Sequence, residues 1–231
     1  MIPSEKIIVA LDTQDPSILD QILNSLRGEK IWVKIGMELF YSMGSDVIFK
    51  AKEYGLNVFL DLKLHDIPNT VAQAIKSLSK LPIDMINVHA SGGKEMMTRS
   101  YEMLSEMQHR PLLIAVTQLT STTQLQMNEE QNIQGPIENS VLTYAKLAKE
   151  SRLDGVVCSP LEVKLIKNHL GKNFLTITPG IRPIGENLND QKRVTTPEEA
   201  LLLGTDYMVI GRPITASNNP KEALQNILQG K

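Results

Sequence analysis

Eight short runs rich in aliphatic and β-branched residues recur from one end of the chain to the other, with helical spacing between them. That alternation narrows the fold more than any other feature. The runs are KIIVALD (6–12), IWVKIG (31–36), NVFLDLK (57–63), DMINVHA (84–90), PLLIAVTQL (111–119), GVVCS (155–159), FLTITPG (174–180) and YMVIG (207–211). After the first run, Asp15-Pro16 supplies a cap and a first-turn proline. Ile18, Leu19, Ile22, Leu23 and Leu26 then repeat at helical spacing before Gly28. Further helices are expected near 45–54, 69–80, 92–107, 137–151, 160–169, 197–203 and 220–229. Eight strands alternating with helices in 231 residues is the count of an α/β (β/α)8 barrel, whereas a doubly wound open sheet has fewer strands. No linker rich in Pro, Gly or Ser divides the chain, so residues 1–231 are expected to form one barrel domain, and the Gln/Asn-rich stretch 124–135 a loop after strand five.

Composition excludes several classes of function. Lys+Arg 24 against Asp+Glu 26 gives a net charge of −2, and aromatics are only 4%, so there is neither an electrostatic footprint nor a stacking platform for nucleic acid. The single cysteine, Cys158, has no partner for an internal disulfide, and no Cys/His cluster has zinc-site spacing. The N-terminus MIPSEKIIVALD lacks the layout of an export signal, and no apolar run approaches the ~20 residues that span a bilayer. A small-molecule enzyme of the cytoplasm, with no membrane association, fits these bounds.

The stretch FLDLKLHDIPNT (59–70) places charge inside a strand. Alternation sends Leu60, Leu62 and Leu64 to one face and Phe59, Asp61 and Lys63 to the other. With the leucines packed on helices, the two charges look into the barrel, where ions are costly and are usually kept for chemistry. The active end of such a barrel lies at the C-terminal ends of its strands. There the chain offers Asp12, Lys34, Asp61 with Lys63, Asn87 with His89, and Thr117-Gln118 with Thr120-Ser121. Strand seven ends in Pro179-Gly180-Ile181-Arg182 and strand eight in Gly211-Arg212. Glycine followed by arginine after strand eight suits a phosphate, because the backbone approaches closely and the guanidinium binds two oxygens.

Taken together, DLKLHDIPNT, Asp12, Lys34, the LTS after strand five, PGIRP with Gln191 beyond it and the final IGRPI resemble the orotidine 5′-phosphate decarboxylases of the bacterial type. The resemblance spans Asp12 to Arg212 in order and spacing. It implies conversion of orotidine 5′-phosphate to uridine 5′-phosphate, with Lys63 stabilising and protonating a carbanion inside a row of alternating charges, Lys34–Asp61–Lys63–Asp66. It implies no metal, nucleotide or organic cofactor. Asp12 and Lys34 would hold ribose hydroxyls and Thr120 the pyrimidine region. Arg182, Gln191, Gly211 and Arg212 would hold the phosphate or its edge, and the segment 182–192 would act as a lid. Asp66, Ile67 and Thr70 would reach into the site of a neighbouring subunit, making a homodimer with composite sites.

Blander readings stand beside these. Asp61 and Lys63 also suit a structural ion pair, and Asp66 or Asn69 a helix cap. His89 reads as a lining residue, Cys158 as packing, and His65 has no assigned role. Alternative functions are a metal-dependent sugar-phosphate decarboxylase or aldolase of the same suprafamily, and a nucleotide-binding barrel without catalysis. A sugar-phosphate isomerase would need a carboxylate or cysteine base, and Lys63 between acids is a poor one.

Overall fold

A computed structural model describes residues 1–183 and 194–230. Its eight strands are β1 (Ile7–Leu11), β2 (Trp32–Gly36), β3 (Asn57–Leu64), β4 (Met85–His89), β5 (Leu112–Val116), β6 (Gly155–Val157), β7 (Leu175–Thr178) and β8 (Tyr207–Ile210). Each pairs in parallel with the next, and β8 returns to β1 to close the barrel. All eight runs read from the sequence are strands; most are trimmed by a residue or more at their ends, while β3 runs one residue further, to Leu64. Among the described residues no helix is long and apolar enough to cross a membrane.

Period-two alternation divides the core in two. One residue set, including Val9, Leu11, Val33, Ile35, Leu60 and Leu62, points outward and packs under the helices. The other fills the barrel: Ile8, Ala10, Trp32, Phe59, Met85, Ile114, Ile177 and Val209 are all buried there. Trp32 meets Tyr207 edge to face low in this interior, with ring centroids 5.3 Å apart. Continuing the inward register toward the strand C-termini leads from Ala10 to Asp12, from Trp32 to Lys34, from Phe59 to Asp61 and Lys63, and from Met85 to Asn87. The interior is therefore apolar below and ionic above.

The opposite end is fastened by three aspartates, each immediately before an even-numbered strand. Asp84 accepts from Val58 N–H at 2.7 Å and Lys52 Nζ at 2.8 Å. Asp154 accepts from Leu113 N–H at 2.7 Å and is gripped by both Arg110 amino groups at 2.6 and 2.8 Å. Asp206 accepts from Thr176 N–H at 2.7 Å and Lys167 Nζ at 2.5 Å. One carboxylate thus ties a strand to its predecessor and to a cation from the preceding helix or loop. Close approach matters beside them: a Cβ on Gly155 would lie 2.3 Å from Leu175 O, so β6 can begin only with glycine.

Short helices that the sequence reading does not expect follow β2 and lie within 124–135, and another, Arg212–Thr215, follows β8. A helix, Met37–Met43, follows β2 directly and is ended by Gly44 at φ 67°, before the expected helix Asp46–Glu53. Within 124–135, taken as loop, Gln124–Glu129 is helical. Its cause is a reciprocal cap, in which Thr123 Oγ1 accepts from Gln126 N–H and Gln126 Oε1 accepts from Thr123 N–H, while Met127 is buried.

Candidate active site

A cavity of about 270 Å³ opens at the C-terminal end of the barrel. Apolar residues, among them Ala10, Phe59, Val116 and Val209, continue the barrel interior into its floor. Ions line it from β1 to β3, and Gly180, Arg182, Gly211 and Arg212 come in after β7 and β8, with Gly211 close beside Asp12. Thr120 and Ser121 come in from the loop after β5. Eight sequence-predicted residues therefore share one cavity: Asp12, Lys34, Asp61, Lys63, Thr120, Arg182, Gly211 and Arg212.

The ionic side is a continuous chain of contacts. Lys34 Nζ lies 3.4 Å from Asp12 Oδ1 and 3.3 Å from Asp61 Oδ2, and Lys63 Nζ donates to Asp61 Oδ1 at 2.8 Å. Burial is the largest influence on Lys34 and favours the neutral amine, yet the carboxylates of Asp61 and Asp12 together outweigh it and raise its pKa. Burial likewise acts first on Asp61, pushing it up. Lys34, Lys63 and the hydrogen bonds from Lys63 and Asn87 overcome that, and its pKa is lowered. Alternation of sign makes burial of these charges tolerable.

Within one chain the row runs Asp12–Lys34–Asp61–Lys63; Asp66, expected to enter a neighbouring subunit's site, is not part of it. β3 ends at Leu64, and Asp66 lies exposed beyond it with Oδ1 accepting from Ile67 N–H at 2.6 Å. Nor does Asp66 or Asn69 cap the following helix, Pro68–Leu78: Ile67 holds the cap position and no side chain bonds there. Ile67 is 68% exposed, Thr70 is exposed, and neither lines the cavity of its own chain. Gln191 and most of the expected lid lie outside the described residues. The stem of that segment is fixed, since Arg182 N–H donates to Thr195 O at 2.9 Å and Thr195 N–H to Gly180 O at 3.2 Å.

Lys63 has φ 52°, a left-handed backbone that costs a non-glycine residue about 1–2 kcal/mol. It sits in an irregularity of the sheet, where β3 advances from Leu60 to Leu64 while β4 advances only from Ile86 to Val88. Such a bulge re-aims side chains beside a site. Asn87, noted in the sequence as a strand-end residue without a role, is fully buried against the bulge. Its Oδ1 accepts from Lys63 N–H at 2.8 Å and its Nδ2 donates to Asp61 Oδ1 at 2.6 Å. The signal was a polar residue at an inward position of β4. His89, two residues on, is half-buried, stacks on His65 at 5.7 Å between centroids, and has Nδ1 2.7 Å from Ser91 Oγ. Burial first, then the charges of His65 and Lys63, lower its pKa. Cys158 is buried, as packing requires, and also borders the cavity.

Comparison with known proteins places this geometry in context. Residues 5–227 match the model of the family described as "Orotidine 5'-phosphate decarboxylase / HUMPS family". The orotidine 5'-phosphate decarboxylase of Staphylococcus saprophyticus is 55% identical over 222 residues, covering 95% of each chain. That of Staphylococcus aureus strain Newman is 53% identical over 220 residues, with the same coverage. Among solved structures, orotidine 5'-phosphate decarboxylase from Lactobacillus acidophilus superposes with a TM-score of 0.86 at 43% identity, covering 98% of both chains. An uncharacterized conserved protein from Geobacillus kaustophilus gives a TM-score of 0.86 at 42% identity, covering 97% of this chain and 99% of the other.

Proposed function

We propose that this chain, which belongs to the orotidine 5′-phosphate decarboxylase / HUMPS family, removes CO₂ from orotidine 5′-phosphate to give uridine 5′-phosphate, the last step of pyrimidine biosynthesis. The observation that carries the reading is the placement of Lys63 and Asp61 in one cavity with the two arginines after β7 and β8.

When the C6–carboxylate bond breaks, CO₂ leaves and the electron pair stays on C6 in the plane of the ring, where the π-system cannot spread it. The Lys63 ammonium faces that pair as it forms and then gives it a proton, and solvent restores the ammonium. Asp61, already bonded to Lys63, sits beside the substrate carboxylate. Two like charges ~4 Å apart repel by about 4 kcal/mol at an effective dielectric near 20, which is roughly a thousandfold in rate. That contribution is too small alone, so stabilisation by Lys63 carries the larger share. Asp12 and Lys34 take ribose hydroxyls, Thr120 the pyrimidine edge, and Gly211 and Arg212, with Arg182 and Gln191, the phosphate end. Asp66, Ile67 and Thr70 complete the site of a second copy, so the working form is a cytoplasmic homodimer of single-domain barrels. No metal or organic cofactor enters this scheme.

The deciding assay follows the loss of orotidine 5′-phosphate absorbance with a chelator present. Sustained turnover supports the reading. Turnover only of a sugar phosphate, and only with added divalent metal, would assign the chain to the metal-dependent branch instead.

A further inference from the structure

We infer that Asn87 is a positioning residue whose single amide sets both the backbone of Lys63 and the carboxylate of Asp61. The inference rests on the decarboxylase reading for its kinetic consequences and on geometry alone for its structural one. Across the β3 bulge the register with β4 shifts between Leu60 and Leu64, and there Lys63 N–H donates to Asn87 Oδ1 at 2.8 Å. That bond anchors the residue at φ 52°, from which the side chain rises to bond Asp61 Oδ1 at 2.8 Å. The same carboxylate oxygen accepts from Asn87 Nδ2 at 2.6 Å. Asp61 is thereby fixed through one oxygen by Lys63 and Asn87, leaving the other toward Lys34 at 3.3 Å. Asn87 has no solvent exposure, so neither half of its amide can exchange its partner for bulk water.

An amide is required because the two partners make opposite demands, an acceptor for the N–H and a donor for the carboxylate. Aspartate keeps the acceptor and sets a carboxylate against Asp61. Alanine removes both. The charged groups around the position are Asp61 and Lys63 on β3, Lys34 on β2, and His89 on β4, close enough to sense Lys63. From β5 the neighbouring inward residues, Ile114 and Val116, are apolar.

The test compares the parent chain with Asn87→Ala and Asn87→Asp by kcat, KM, uridine 5′-phosphate binding, pH profile and a crystal structure of the alanine variant. Asn87→Ala is expected to lower kcat by about tenfold to a hundredfold with KM and product affinity within about threefold, since the phosphate side is untouched. Its crystal structure is expected to show Lys63 outside the left-handed region or its ammonium withdrawn from Asp61. In Asn87→Asp, kcat recovers as pH falls, because the buried acid beside Asp61 has a raised pKa and donates once protonated. This variant carries the kinetic test if alanine prevents folding. A folded Asn87→Ala with kcat within twofold of the parent, an Asn87→Asp profile parallel to the parent's, or unchanged Lys63 geometry overturns the assignment. A parent chain inactive on orotidine 5′-phosphate would refute the functional reading, and the crystal structure would still decide the role of Asn87.

Discussion

A methyl group on Gly36 would lie 3.0 Å from Lys34 Nζ and 3.8 Å from Asp12 Oδ1, so the missing side chain is what leaves room for the ammonium. Its φ of −87° suits alanine, and the obstruction is steric only. Gly36→Ala is therefore expected to fold normally by thermal melt while lowering kcat/KM about tenfold as Lys34 is pushed aside. Lys63→Ala is expected to abolish decarboxylation, by about a thousandfold or more, with the melting profile retained. Arg212→Ala, by contrast, mainly raises KM and weakens uridine 5′-phosphate binding by about tenfold to a hundredfold, the value of a charge-assisted hydrogen bond. Unchanged affinity in that variant would refute the phosphate assignment. The Asp61 pKa is lowered on folding, so its stabilisation is present above the ordinary carboxylate pKa near 4 and is lost as pH falls through the folded value. Lys34, raised on folding, contributes below about pH 10.5 and loses its contribution as pH rises through its folded value. The stability gap between parent and Asp61→Asn, followed by denaturant titration, should stay level around neutrality and close in acid.

Elements show what could be read from sequence and what could not. The strands were legible because apolar runs with a polar residue at the C-terminal end are what a closed parallel barrel demands of each one. The charged face of β3 followed from alternation alone. The helix Met37–Met43 was not legible, being only seven residues between two glycines, and the Gln/Asn content of 124–135 masked a Thr-x-x-Gln cap that was present in the letters. The role of Asn87 depends on bonds to residues 24 and 26 positions earlier across a bulge that no periodicity announces. The three aspartates before β4, β6 and β8 were hidden likewise, since each acts on the preceding strand. Asp154→Ala removes a bidentate partner from Arg110 and strands Leu113 N–H. It is expected to cost about 2 kcal/mol and lower Tm by about 4–8 °C, with kcat unchanged. A shift under 1 °C would show the contact to be incidental.

For the whole molecule, the predicted interaction is between copies. Asp66, Ile67 and Thr70 stand away from the cavity of their own chain, and their assignment to a second chain's site has a direct test. Lys63→Ala and Asp66→Ala proteins, each inactive alone, are mixed in equal amounts and allowed to exchange subunits. Half the dimers are then mixed, and each carries one site free of both defects, so about a quarter of parental activity should return. No recovery, with exchange confirmed by mass, would place Asp66 outside the composite site. The carboxylates fastening the barrel at one end and the reactive ions at the other are separated by the apolar filling around Trp32 and Phe59. An engineer seeking greater heat resistance can therefore look to the foot of the barrel, keeping Gly155 and the three aspartates, because an apolar layer stands between a change there and turnover at the crown.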